Sequence, residues 1–498
     1  MKSSGNTLSS GFDKLLGSSI PNRTHAASFM ASFSFDLPAK WPTDPRAILG
    51  RAWISGGYDN APVPVRRRFD DRTLELVRED NESGSLSLEW PVRGESRIVA
   101  TSTLRVRPEP YYLAIELARG AVNRARNLLF ALQSASIPMP ANLQADLSDV
   151  CRAFGRAVLA DDPAIRDTHA GVVIEAASLL ADRMTAALTA HRLASRLGVT
   201  KPLPTLVGCR LSSPLSPAES EDYARCFNAV RIIPKWKQIE KEESNFDWSQ
   251  LDSLIRWAES AGLAISVGPL ADLSAETIPD WILASAGDFP NLAAFFSDFV
   301  GTLVARYRDK CRHWELFSGF NHADALGIGE DDRLRLAGRL LETTREVDPQ
   351  AHWSFGLQQP WGDYLVDSNM RYSPLGFADT LLRGGFEVAA LELDLTPGRP
   401  PRGSLPRDPL DVLQLLELFE PLNCPFDVTL AAPLAADAAM SLATVETLIA
   451  SPSVRAVYWD VWSAQQAHSA TPGAQLYPAS IDRPALGWFR EIRANWLR

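Results

Sequence analysis

Two carboxylates one residue apart, Glu392 and Asp394 in the run Leu391-Glu-Leu-Asp-Leu395, are the residues of this chain best placed to do chemistry. Side chains alternate across a strand, so the two acids share one face and the three leucines share the other. By the same alternation Asp460 shares a face with Tyr458 and Trp462, and Glu315 shares one with Phe317 and Gly319. Asp272, Gln358, Gln359 and Trp361 follow the ends of other predicted strands. Acids and amides bond hydroxyl groups, indoles stack on apolar ring faces, and two carboxyl groups with opposed pKa values can cleave an acetal. That is the equipment of a sugar site.

Each residue also has a plain structural reading. Glu315 lies deeper than its strand end and fits a buried, paired acid. Glu392 fits a hydrogen-bonding strut, and Asp394 a cap for the loop at Thr396-Pro-Gly398. Trp236, Trp281 and Trp314 read as core, because large aromatics dominate cores. Trp361 and Trp462 lie just past strand ends and are equally readable as platforms for a ligand.

Such residues converge only if the chain brings many strand ends to one place. After Lys201-Pro-Leu-Pro204 strands and helices alternate without a break. Eight strands are predicted, at 205–211, 229–233, 264–269, 313–318, 353–358, 388–395, 426–431 and 454–461. Each is followed by a helical pattern, such as 249–261 and 291–308, and the last is 484–497. Eight units in roughly 300 residues predict an α/β fold of the (β/α)8 barrel type, with its site at the C-terminal mouth. A doubly wound open sheet is disfavoured because no Gly-rich phosphate loop follows the first strand. Residues 30–108 predict a small β-sandwich, and 109–200 a helical segment with helices near 110–135, 142–161 and 170–197. The barrel takes 201–498. Residues 1–29 are polar and Ser-rich, without the apolar core of a signal peptide; they read as a disordered tail, and Met30 is an alternative start.

A net charge of −10 argues against nucleic-acid and anionic-membrane partners, which need basic patches. No run of 18 apolar residues predicts a membrane span. Five scattered cysteines without CxxC spacing fit a reducing compartment, and with no export signal the expected location is the cytoplasm. Seven scattered histidines give no metal motif, so no cofactor is expected. Oligomeric state is not legible.

The barrel half resembles family 10 glycoside hydrolases, the xylanase-like group, through six weak motifs in the right order. Phe227-Asn-Ala-Val230 and Lys235-Trp-Lys-Gln-Ile-Glu240 are similar to that family's second-strand signature. Asn245-Phe-Asp-Trp-Ser249 with Leu254-Ile-Arg-Trp-Ala258, Gly262–Gly268, Pro279-Asp-Trp281, Tyr307-Arg308 before Trp314, and Ile481-Asp-Arg-Pro-Ala-Leu486 follow. The likeness covers 205–498 and not the first 200 residues. It implies a poly- or oligosaccharide ligand, and it implies that Lys235 contacts substrate.

The departures fall where the resemblance implies chemistry. Retaining enzymes of that family need an acid/base Glu ending the fourth strand and a nucleophile Glu ending the seventh, about 5–5.5 Å apart. Ser318-Gly319 stands at the first of these places, and Gly268-Pro269 replaces a Gly-His that contacts sugar. The second strand's Glu-Asn part is shortened. Leu391-Glu-Leu-Asp394 looks like the nucleophile motif, but strand order puts it on the sixth strand. On the seventh, Val428-Thr-Leu-Ala431, Leu430 stands where the nucleophile belongs. Both standard glutamates are therefore expected to be missing. The leading expectation is a carbohydrate-active barrel that binds a saccharide with hydrolysis lost or relocated. The alternatives are an active O-glycosyl hydrolase pairing Glu392 with Asp460, Glu315 or Asp272, and a scaffold protein whose barrel only presents a surface.

Overall fold

The computed structural model describes residues 31–39, 41, 45–322, 325–368, 370–398, 404–431, 438–463 and 484–497. The stretch 1–30 and the segment Ile481-Asp-Arg483 lie outside the described residues.

The eight predicted barrel strands all form: Leu206–Leu211, Ala229–Ile232, Ala264–Val267, His313–Ser318, His352–Gln358, Ala390–Asp394, Phe426–Leu430 and Val454–Trp459. Every neighbouring pair is parallel. The third strand pairs with the fourth through Ser266↔His313 and Val267↔Trp314, which closes the sheet into a barrel. A two-residue strand, Ala271–Asp272, adds to the fourth strand beyond this seam.

Alternation along each strand sorts the side chains. Val207, Cys209 and Leu211 of the first strand pack outward with Val230 and Ile232 of the second and with Leu391 and Leu393 of the sixth. The intervening positions, among them Arg210, Arg231 and Glu392, point into the barrel, where Arg231 and Glu392 bond each other. Barrel interiors are ordinarily filled with layers of Val, Ile and Leu. This one is filled with ion pairs.

The N-terminal part holds two four-stranded sheets, one with Ala31–Asp36 and Thr73–Arg78 inside it, the other with Trp53–Gly56 and Ser85–Val92. Helices Leu113–Ser134, Leu143–Val158 and Pro163–Val199 follow. The longest is started by Asp162, whose carboxylate accepts the backbone N–H groups of Ala164 and Ile165 at 2.8 and 3.0 Å. Sheets and helices share one core: Phe33, Phe35, Leu74 and Leu88 belong to the same cluster as Leu117, Leu129 and Ile174. Close approach requires glycine at 120, because any Cβ there would overlap the Ala100 carbonyl. Leu410 and Leu413 from barrel helix Pro409–Phe419 join that core. The N-terminal part is thereby seated on the barrel.

Candidate functional site at the barrel mouth

The barrel interior is built in two tiers. In the lower tier Arg231 is 0% exposed and reaches three carboxylates: Glu315 at 3.1 Å, Asp427 at 3.2 Å, and Glu392. Its guanidinium also lies 4.1 Å from the centre of the Tyr458 ring. Arg455 binds Asp427 through its Nε at 2.8 Å. Glu392 accepts a hydrogen bond from the Thr429 hydroxyl. Burial raises the Glu392 carboxyl, and Asp427 adds to this against the pull of Arg231. Glu315 is pushed up to about 8 by burial, opposed by Arg231 and reinforced by Glu392. Its Oε1 has no hydrogen-bond partner. Three acids face two arginines, so the tier keeps a proton across the neutral range.

Room for Glu315 depends on glycine. A Cβ at Gly356 on the fifth strand would stand 2.5 Å from Glu315 Oε1 and 2.7 Å from Ser318 Oγ. The fourth strand is also irregular, with a register shift between Glu315 and Ser318. That bulge corrects the predicted facing: Phe317 turns out to stack on Phe355 at 5.3 Å, and Ser318 turns in instead.

The upper tier lies at the mouth. Arg210 bonds Asp460 at 3.1 Å and Asp394 at 3.3 Å, with Arg210 and Asp394 side chains 10% and 11% exposed and Asp460 buried. Asp394 also accepts the Thr396 N–H at 2.9 Å, the loop-capping role read from Thr396-Pro-Gly398. Asp272 caps its own loop by accepting the Ser274 N–H at 2.7 Å. Burial raises its carboxyl, with the Ser274 bonds and Arg210 pulling the other way. Lys235 is half-buried at the start of the turn Trp236–Ile239, and burial alone lowers its ammonium pKa.

Beside these groups the end of the fourth strand is closed over by amides. Gln358 Oε1 lies 2.9 Å from His322 Nε2, and Gln358 exchanges backbone bonds with the Asn321 side chain at 2.8 and 3.2 Å. Burial lowers His322 to about 4, only partly offset by Gln358, so its ring is neutral at pH 7. Gly319 has φ of 72°, and a Cβ on it would meet the Gln358 amide at 3.0 Å. The space into which a side chain at 319 would emerge is already filled.

Of the residues singled out in the sequence, Arg210 brings Asp394 and Asp460 together and Arg231 brings Glu315 and Glu392 together. Gln358, in register with Asp394 and 3.4 Å from the Ser318 hydroxyl, lies beside them, and the remaining indoles and amide do not. Trp462 is fully buried against Tyr223 at 5.2 Å, in the core. Gln359 is buried with φ of 49°. Trp361 is half-buried 5.2 Å from the Arg407 guanidinium, on the side facing the N-terminal part. Trp236 stacks on Phe299 at 4.5 Å and Trp314 on Trp353 at 6.1 Å, both core contacts. On the seventh strand Leu430 packs outward, so the inward position next to it is Thr429. Sequence reasoning passed over Arg210, Arg231, Asp427 and His322. An arginine inside Cys209-Arg-Leu211 and Val230-Arg-Ile232 is the signal that was available, since a charge on the inner face of a barrel strand demands partners there.

Part of the barrel is similar to known proteins. Residues 212–323, from the loop after the first strand to just past Gly319, match Glycosyl hydrolase family 10. Endo-1,4-beta-xylanase A of Fusarium oxysporum f. sp. lycopersici is 28% identical over 82 residues, 16% of this chain and 24% of that protein. The match thus spans about a quarter of the length of that curated relative. Among solved structures, xylanase 10B from Thermotoga maritima superposes with a TM-score of 0.46 at 16% identity, covering 60% of this chain and 97% of that one. Xylanase XylE from Penicillium canescens gives 0.46 at 13%, covering 57% and 92%.

Proposed function

We propose that the barrel mouth binds a poly- or oligosaccharide and that hydrolysis by a family 10-type pair of glutamates has been lost. The closed eight-stranded sheet and the family match over residues 212–323 supply the fold on which this reading rests. The observation that carries the reading is the state of the interior acids. Glu315 and Glu392 lie beneath the mouth at 0% and 1% exposure, tied to Arg231, and cannot flank a glycosidic bond. Where the fourth strand ends, the Gln358 amide fills the space beside Gly319. What remains at the mouth is hydrogen-bonding equipment: the half-buried Asp394, Asp272 and Lys235, with the buried Arg210. Such groups hold hydroxyls without needing to transfer protons.

A second reading has one observation in its favour. Burial raises the Asp272 carboxyl, the property of a general acid, while Asp394 stands ion-paired to the nearby Arg210. These two would be the pair of a relocated reaction. The test is turnover of xylan and a panel of aryl glycosides by wild type, Glu392→Gln and Asp272→Asn, with xylo-oligosaccharide binding measured alongside. No turnover with saturable binding supports the non-hydrolytic reading. Turnover abolished in Asp272→Asn establishes the second reading, and turnover abolished in Glu392→Gln returns catalysis to a buried glutamate. Neither turnover nor binding moves the weight to a structural role.

A further inference from the structure

A large cavity lies away from the mouth. It is a cleft of about 980 Å³ between the N-terminal part and the barrel, at the upper end of the roughly 300–1,000 Å³ typical of small-ligand sites. One wall is helix Leu113–Ser134, which contributes Asn123, Arg124 and Asn127 from one face; the facing wall is helix Pro409–Phe419, which contributes Asp411 and Gln414. The two walls are tied together by a clamp: Arg124 binds both oxygens of Asp408 at 2.6 Å and Asp411 at 2.7 Å.

The clamp decides what the cleft can take. Arg124 is neutralised by two aspartates, Arg407 pairs with Asp363 at 2.8 Å, and Arg97 pairs with Asp182 at 2.7 Å. The lining as a whole carries four arginines (97, 124, 192 and 407) and four carboxylates (Asp59, Asp408, Asp411 and Glu417), so it has no excess of either sign to select a charged ligand. The uncharged amides are differently placed. Asn127 and Gln414 are exposed and line the cleft, between apolar strips that include Leu128 and Leu413. Neutral amides beside apolar surface match a ligand with hydroxyls on its edges and apolar ring faces.

The cleft also leads somewhere. A smaller cavity of about 70 Å³ shares Arg97, Ile98, Trp361, Arg407, Asp408 and Asp411 with it, and extends to Leu430 and Ala431 at the end of the seventh barrel strand. The half-buried Trp361, which the sequence offered as a stacking platform, belongs to this passage. The two cavities thus share a wall that reaches the end of the seventh strand.

We infer that the interdomain cleft is a second binding site, for an uncharged hydroxyl-rich chain such as an oligosaccharide, held by Asn127 and Gln414. The argument rests on the cleft alone and holds whether or not the mouth binds sugar. The test is equilibrium binding of xylohexaose and cellohexaose to the full chain. It compares wild type, Asn127→Ala/Gln414→Ala, the cleft-filling Gln414→Trp, and the mouth variant Lys235→Ala. At least one hexasaccharide is expected to bind wild type, with affinity falling 10-fold or more, or one class of sites vanishing, in both cleft variants. Lys235→Ala is expected to retain that component. Binding that is unchanged in the cleft variants would overturn the cleft, and if the same binding were lost in Lys235→Ala it would leave the mouth reading standing. Failure of both probes to bind wild type would also overturn the cleft. Circular dichroism and thermal melts of each variant separate loss of a site from loss of fold.

Discussion

Glu315 holds its proton because it is buried, and that makes stability respond to pH. Its folded pKa of about 8 lies above the ordinary value of 4.5, so between those values the folded chain binds more protons than the unfolded one. The contribution is fully present below about pH 4.5 and is lost as pH rises through about 8. Glu315→Gln keeps the shape and removes the titration. Its thermal midpoint is expected to match wild type near pH 5 and to exceed it by several degrees at pH 8.5, read by scanning calorimetry across that range. A mutant whose deficit or gain is constant with pH would mean that Glu315 is ionised throughout. Gly319 offers a second test at this scale. Placing an acid where the resemblance implies one, as Gly319→Glu, puts a β-carbon at a left-handed φ and against Gln358, at a cost on the order of 1–3 kcal/mol. Urea denaturation should show that loss, and xylan assays should show no gained hydrolysis, because the seventh strand still presents Thr429 to the barrel interior.

Between elements, the decisive contact joins helix Leu113–Ser134 to helix Pro409–Phe419. Asp408 and Asp411 form the capping box of the second helix while also binding Arg124, so one guanidinium ties a helix start to the N-terminal part. Burial pushes Asp411 up to about 6, against the pull of Arg124 and with the help of Asp408. Arg124→Ala strips both aspartates of their counter-ion. Removing one partner of a buried pair costs about 3–5 kcal/mol, and the 23% exposure of Arg124 reduces this to roughly 1–3 kcal/mol. Thermal unfolding followed by calorimetry should move down and broaden as the N-terminal part loosens from the barrel; an unchanged single transition would show that Leu410 and Leu413 suffice. Elements were also the scale most legible in the sequence. Each barrel strand is a short apolar run between breakers, and the runs could be read because both faces of a parallel sheet are covered. The bulge in the fourth strand was not legible. Nothing in His313-Trp-Glu-Leu-Phe-Ser318 marks where alternation slips, and the slip exchanged Phe317 for Ser318 at the interior. Leu430, which stands where the resemblance puts a nucleophile, belongs to the apolar core, and its neighbour Thr429 points inward. Pairing of Arg231 with acids from three other strands depends on closure of the sheet, which local patterns do not carry.

As a whole, the molecule is a family 10-like barrel whose interior is occupied by arginines bonded to acids and whose flank is covered by two four-stranded sheets and three helices that share one core. Acids that look reactive in the sequence are the ones the fold uses to bond Arg210 and Arg231. Polar groups line the mouth and the interdomain cleft, and on the function proposed above they hold a saccharide rather than cut it. The cleft escaped sequence reading altogether, since it is made by two helices nearly 300 positions apart. The measurement that bears most directly on this account is a calorimetric titration of xylohexaose into the wild-type protein. Binding without hydrolysis predicts injection heats that saturate and return to baseline after each addition. A sustained heat that persists until the sugar is consumed would contradict it, as would the absence of any heat of binding confirmed at a second temperature.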